Sequence, residues 1–409
     1  MTAMVGARRA VLFGGTRGFP LRGGGALAAR DIDLRNNRYW QGATLPAVTD
    51  MLTTARSSTH LLANASGVYQ SFGNNVLARN TGVGAYIGMS LSNICANYNA
   101  APQLTNVAKE GDANAVLTIV DQSTELNSAG FGNICNGNAY KLDNSLGSTN
   151  AWALIAGTQS NTIDKCTQMV VAWGSGQFFT QVNAGGGGGS IGNTTLTSVP
   201  TLYSGIPSVA TAIAGMRVCA RPGAILYFVL NQYGVASFAA PPIITNGSSA
   251  TRLASDVTAA NMAWFTPLDG IGATEIIVPK WNHVGDGVDR PLFQYIKDAS
   301  NYIRGYVNAS GYPALKIVTG GTTQTDTALT TAITTGRKPL TFGWSPAGGY
   351  IGDAAGNVAT FGAVSLPGGI TNERVGSSQA GNYLNDILER RATLAAISQA
   401  QALALAATV

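Results

Sequence analysis

Few residues of this 409-residue chain suit acid–base or nucleophilic chemistry, beginning with its two histidines, His60 and His283. A serine nucleophile needs such a base within hydrogen-bond reach. The best serine motif, Gly343-Trp344-Ser345-Pro346-Ala347, lacks the second glycine of a nucleophile elbow and puts proline directly after the serine. His60 lies in a polar stretch and His283 in a predicted loop near Trp281, so both read as structural residues. Glycosidic hydrolysis needs two carboxylates flanking the bond, whereas the acids here are scattered and form no Glu-x-Asp-x-Glu strand. Asp286, Gly287 and Asp289 have the spacing of a calcium loop's opening, but too few acids follow to complete one. Cys95, Cys135, Cys166 and Cys219 lie far apart with no Cys-x-x-Cys, which argues against zinc. The matching Asn-Ile-Cys tripeptides at 93–95 and 133–135 read as strand ends carrying buried thiols, with a disulfide between them as the alternative. The expectation is a protein with no catalytic residue, no metal and no cofactor, hence not an enzyme.

Recognition chemistry is better represented. Residues 301–308 alternate, Ile303 and Val307 facing one way and Tyr302, Arg304 and Tyr306 the other. Aromatic faces stack on apolar sugar faces, and guanidinium groups donate to hydroxyls. Tyr302, Arg304 and Tyr306 are therefore the candidate carbohydrate-binding residues. The competing reading packs that face against a second sheet or a neighbouring subunit.

The elements that would position such a face are strands. Short β-prone runs alternate with Gly, Asn, Thr and Ser clusters, an all-β pattern. Residues 167–173 and 224–230 read as buried strands. Leu340, Phe342 and Trp344 share one face of a strand ending at Ser345-Pro346, and Asp353–Asn357 reads as a hairpin turn. Gly185–Gly189 followed by Ser190 lacks the Lys-Ser/Thr of a phosphate cradle and reads as an exposed loop. One helix is predicted, near the C-terminus, where Ser398 and Gln401 fit a capping box and Ala400, Leu403, Ala404 and Ala407 recur at helical spacing.

Charge is sparse, at 11% of residues, and its net value of +5 is confined to one segment. Residues 1–30 hold Arg8, Arg9, Arg17, Arg22 and Arg30 and no acid, so the remainder is neutral. A neutral body excludes a broad nucleic-acid-binding face. No apolar run approaches the ~20 residues of a membrane helix. The five arginines are the candidate contacts for anchoring to an acidic partner surface.

Three stretches resemble virion fibre and spike proteins of bacteriophages and gene transfer agents. Segments 31–43 (DIDLRNNRYWQGA) and 72–94 (FGNNVLARNTGVGAYIGMSLSNI) are similar to the lead into a jelly-roll module. Segment 233–257 is similar to that module's end, through Phe238, Pro241, Pro242 and Ile243, then Ala250, Thr251, Arg252, Ala254 and Asp256. Residues 261–405 resemble a concanavalin A-like, laminin-G-like lectin sandwich. The resemblance implies an all-β chain with an anchoring segment at 1–90, a jelly-roll domain at 91–257, and a lectin sandwich with a terminal helix at 258–409. It further implies a virion location, homo-oligomerisation with a trimer as the expected state, capsid or tail partners through the N-terminal segment, and host surface glycan as ligand. A purely structural capsid or tail protein and a polysaccharide depolymerase are the alternatives.

Overall fold

The short β-prone runs become antiparallel strands in the computed structural model. It describes residues 28–41, 45–95, 104, 106–159, 167–184, 191–206, 213–234, 241–245, 248–259, 261–282 and 287–409. Strands Thr167–Ser175, Ile225–Gly234, Asn301–Val307 and Leu340–Ser345 fall where alternation and apolar runs predict them. The Asp353 carboxylate accepts the backbone N–H groups of Ala355 and Asn357 at 3.0 and 2.9 Å, closing the predicted hairpin turn. The chain is all-β and of β-sandwich architecture, and it divides into two compact units.

One unit comprises residues 56–78 and 90–254. It holds two five-stranded antiparallel sheets. Tyr140, Leu142 and Phe228 from one sheet and Ile155, Phe178 and Val218 from the other fill a single buried core. The second Asn-Ile-Cys tripeptide is not a strand end; it lies in turns between the short helix Ser123–Ser128 and strand Asn138–Asp143. Cys95 and Cys135 are free thiols, so the disulfide alternative is not formed.

The other unit combines the residues before 56 with 79–89 and 255–409. This departs from the expected three-part division. The segment 1–90 is not a separate body, because Ala28–Asp33, Arg38–Gln41 and Leu52–Ala55 are strands in the sheets formed by residues after 255. Sheet I runs Arg38–Gln41, Ala28–Asp33, Asp386–Ala395, Ala273–Trp281, Leu340–Ser345, Gly348–Asp353, Val358–Phe361. Sheet II runs Thr322–Ala328, Pro313–Thr319, Asn301–Val307, Arg290–Asp298, Asn372–Val375, Asp256–Ala259, Leu52–Ala55. Phe293 of sheet II meets Phe342 and Trp344 of sheet I at ring-centroid distances of 5.4 and 5.9 Å, so the two sheets pack face to face.

The helix Gln399–Ala406 carries the predicted Ser398–Gln401 capping box. It buries Ala402, Leu405 and Ala406 against Ile276, Ala392 and Leu394 of sheet I, not the predicted Ala400–Leu403–Ala404–Ala407 stripe. Six of its eight residues are Ala or Leu, so spacing alone does not select a face; the sheet does.

Between the sheets lies a charged cluster. Arg30, placed by composition in an exposed arm, is 1% exposed, because Arg30, Ile32 and Leu34 alternate inward. Arg30 pairs with Glu373 from sheet II, and its guanidinium lies 4.7 Å from the centre of the Trp264 ring. Arg391 also pairs with Glu373, donates to Glu275 at 2.8 Å, and donates to the Tyr295 hydroxyl at 2.8 Å. Tyr295 in turn donates to Glu275. Burial opposes the charge of Arg391, but Glu275 and Glu373 outweigh it and hold the guanidinium protonated. Two cations and two anions leave no net charge in the dry interior. Removing one partner of such a set strands the others, at a cost of about 3–5 kcal/mol. Glu373→Gln is therefore expected to destabilise this unit by that amount, read as a lowered urea midpoint of its transition; an unchanged midpoint would contradict the pairing.

Apart from that cluster, the buried carboxyl of Asp386 accepts the backbone N–H of Asn282 at 2.8 Å. Burial pushes it up to about 7, although the Asn282 N–H and the Arg290 charge pull the other way. The folded state thus holds a proton that the unfolded chain releases above about pH 4. This contribution is fully present below about pH 4 and is lost as pH rises through about 7, at most ~4 kcal/mol for three pH units. Unfolding free energies from pH 4 to 8 should fall more steeply for the wild type than for Asp386→Asn.

Candidate functional site

Strand Asn301–Val307 sits third from one edge of sheet II, with the predicted division of faces. Ile303 and Val307 are each 2% exposed and point into the sandwich, leaving Tyr302, Arg304 and Tyr306 on the outer face. Cross-strand register extends that face. Arg304 is opposite Gln294 on one side and Lys316 on the other, Lys316 is opposite Asp326, and Gln294 is opposite Arg374. One polar side chain per strand forms a transverse row across five strands.

Each charge in the row is held by a neighbour. Lys316 Nζ donates to Asp326 Oδ2 at 2.9 Å, and the Tyr306 hydroxyl donates to Asp326 Oδ1 at 2.5 Å. Arg304 donates to Asp289 at 3.3 Å and lies 4.3 Å from the centre of the Tyr306 ring. Arg374 donates to Asp256 at 2.5 Å, and Gln294 accepts the backbone N–H of Gln379 at 2.9 Å. Asp289 and Asp256, which flank the row, join Asp326 to make three carboxylates against its three cations, so the row and its partners together carry no net charge. The Nε atoms of Arg304 and Arg374 are buried and make no hydrogen bond among the described residues.

Exposure divides the row into two parts. Gln294 is buried, its side chain accepting from the Gln379 N–H, while the Gly376 N–H donates to the nearby Leu292 carbonyl. Tyr302, Arg304, Lys316 and Asp326 remain partly or wholly accessible beside the Thr-rich edge strand Thr322–Ala328. Tyr306 is only 6% exposed. Burial, reinforced by Asp326, keeps its phenol above the ordinary range and protonated, so it acts as a fixed donor beneath Arg304. Alternation places Tyr302, Arg304 and Tyr306 on one face, as the strand does, but says nothing of Lys316, Asp326 and Asp289 beside them. Lys316 and Asp326 do alternate with apolar or threonine neighbours in their own strands, a signal that becomes usable only once strand order is known.

The remaining expected residues fall elsewhere. Arg8, Arg9, Arg17 and Arg22 lie outside the described residues, as do His283, Asp286, Cys166 and Gly185–Ser190. Arg30 belongs to the interior cluster and not to a particle-facing surface. His60 is buried in the other unit with Nδ1 3.2 Å from an Arg56 nitrogen. Burial, with Arg252 and Arg56 nearby, lowers its pKa well below the usual imidazole value.

No protein-family model and no curated protein sequence matches the chain. Among solved structures, it is similar to the CBM40 domain of the Ruminococcus gnavus IT-sialidase bound to α2,6-sialyllactose, at 13% identity over 34% of this chain and 84% of that one, with a TM-score of 0.29. It is also similar to domain 4 of AbnA, a GH43 extracellular arabinanase of Geobacillus stearothermophilus in complex with arabinotriose, at 13% identity over 39% of this chain and 77% of that one, TM-score 0.31. A third similar structure is the tail fibre protein gp63.1 of an E. coli phage, at 9% identity over 74% of this chain and 42% of that one, TM-score 0.23.

The Tyr306–Asp326 bond has a charged acceptor, for which a contribution of about 1.5 kcal/mol or more is typical. Tyr306→Phe should lower the stability of its unit by about that much in urea unfolding, while Tyr306→Ala, which also removes the ring under Arg304, should cost more.

Proposed function

We propose that the accessible part of the sheet II face, around Tyr302, Arg304, Lys316 and Asp326, binds an uncharged polysaccharide. The observation that carries this reading is the charge-balanced row itself. Sugar hydroxyls both donate and accept, and a line of donors and acceptors already fixed by one another meets them at little ordering cost. Tyr302 adds a partly exposed ring for the apolar face of a pyranose. Tyr306 positions Arg304 and Asp326 and has no need to touch the ligand.

The chain then serves as a subunit of a virion fibre or spike, a reading supported by the resemblance of segments 31–43, 72–94 and 233–257. It acts by binding and not by catalysis. Single weak sites become effective when copies are linked, because the second contact is intramolecular; a homotrimer fits that use. Arg8, Arg9, Arg17 and Arg22 provide the basic contacts to a capsid or tail partner.

Full-length protein is tested against immobilised neutral and acidic bacterial polysaccharides. Binding to a neutral polymer is expected, weakened about tenfold by Arg304→Ala or Asp326→Ala. It should change little as ionic strength rises, because neutral ligands are not steered by screened charge. Binding confined to acidic polymers, or variants that are folded and bind like the wild type, would overturn the proposal.

A further inference from the structure

A separate surface lies on the opposite side of the same unit, on the outer face of sheet I. Register places Thr274, Gly343, Tyr350 and Thr360 side by side on four neighbouring strands. The Gln399–Ala406 helix covers the sheet beside them, where Gly352 leaves room for Leu403. At the start of that helix the cover ends, leaving a shallow cleft of about 280 Å³ between residues 396–399 and the Leu340–Ser345/Gly348–Asp353 hairpin. That volume is at the small end of ligand pockets, suited to one ring more than to a chain.

The cleft is built around an immobilised aromatic ring. A Cβ on Gly343 would meet the Tyr350 ring at 2.3 Å, so only glycine lets the ring lie against the strand beside it. The Tyr350 hydroxyl is 3.2 Å from both the Ile397 carbonyl oxygen, to which it donates, and the Thr274 hydroxyl. Burial raises its pKa, so it remains a neutral phenol. Ser345 Oγ donates to the Gly348 carbonyl at 3.0 Å and keeps its acceptor capacity. Thr360 and Gln399 add a hydroxyl and an amide at the rim. Among the described residues no charged side chain lines the cleft, so a carboxylate, phosphate or ammonium placed there would be desolvated without a partner.

We infer that this cleft is a separate binding site for a single uncharged pyranose unit, such as the terminal residue of a neutral glycan. Tyr350 and Ile397 offer the apolar wall, while Ser345, Thr360 and Gln399 meet ring hydroxyls. The inference rests on the glycan-binding reading of the chain but uses none of the residues of the sheet II face.

The test is saturation-transfer NMR on the full chain with the methyl glycosides of glucose, galactose, mannose and N-acetylglucosamine. At least one should show saturation transfer. Thr360→Trp, which fills the mouth of the cleft from an exposed edge strand, should abolish it. Gln399→Ala should weaken it several-fold, each cleft variant being measured in the Arg304→Ala background so that the sheet II face contributes no signal. Silence from all four glycosides, or an undiminished signal in Thr360→Trp, overturns the inference. Polysaccharide binding through the Arg304 face that persists in such a case shows that the cleft alone has failed; a monosaccharide signal without polysaccharide binding shows that the face has failed and the cleft stands.

Discussion

Two guanidinium groups and two carboxylates share the interior between sheets I and II, and the unit is organised around their mutual neutralisation. Arg30 and Glu373 tie the first described strand to the opposite sheet, while Arg391 reaches both Glu373 and Glu275. An ion pair of this kind adds little net stability over a hydrocarbon core of the same shape, but it punishes misalignment, since a shifted strand would leave a bare charge in a dry space. A one-residue slip would turn Arg30 outward and Asp31 inward, putting a third carboxylate beside Glu275 and Glu373. The cluster therefore acts on register more than on total stability, and register in turn sets both outer faces.

Those two faces use the same sandwich differently. On sheet II, cross-strand pairing lines up cations and carboxylates that neutralise one another and are partly open to solvent. On sheet I, glycines and an anchored tyrosine make a hollow lined by uncharged groups. Both arrangements are free of net charge, and both need strand order fixed from within.

The sequence reveals those features whose physical cause is local. Alternation in Asn301–Val307 identified which side chains share a face, because a strand's period is two wherever it is placed. Ser398 and Gln401 identified the helix start, because a capping box is completed within four residues. The neighbours of Arg304 stayed hidden, since Lys316 and Asp326 reach it through pairings that only the sheet defines. Arg30 was misread for a related reason: a charge count treats an arginine as solvated, and its partner Glu373 lies 343 positions away. The helix face was ambiguous because alanine and leucine occupy most of it. The boundaries near residues 90 and 255 are legible, but 1–90 is not a body of its own, because strands from 28 to 55 close sheets whose other members follow residue 255 and 56–78 join the other unit.

That last arrangement has a bearing on how the protein is made. Ala28–Asp33 pairs along its length with Asp386–Ala395, so the earlier strand waits on the ribosome for a permanent neighbour far downstream; Asp31 and Arg390 are 359 positions apart. At roughly 5–20 residues per second the wait is on the order of 20–70 s. During that interval the 90–254 segment can complete its own sandwich, while the Ala28–Asp33 edge, carrying an arginine destined for a dry interior, stays open to water and to other nascent chains. Neighbouring ribosomes on one message would hold several such edges close together, and the charge on Arg30 makes their premature pairing unfavourable until Glu373 arrives.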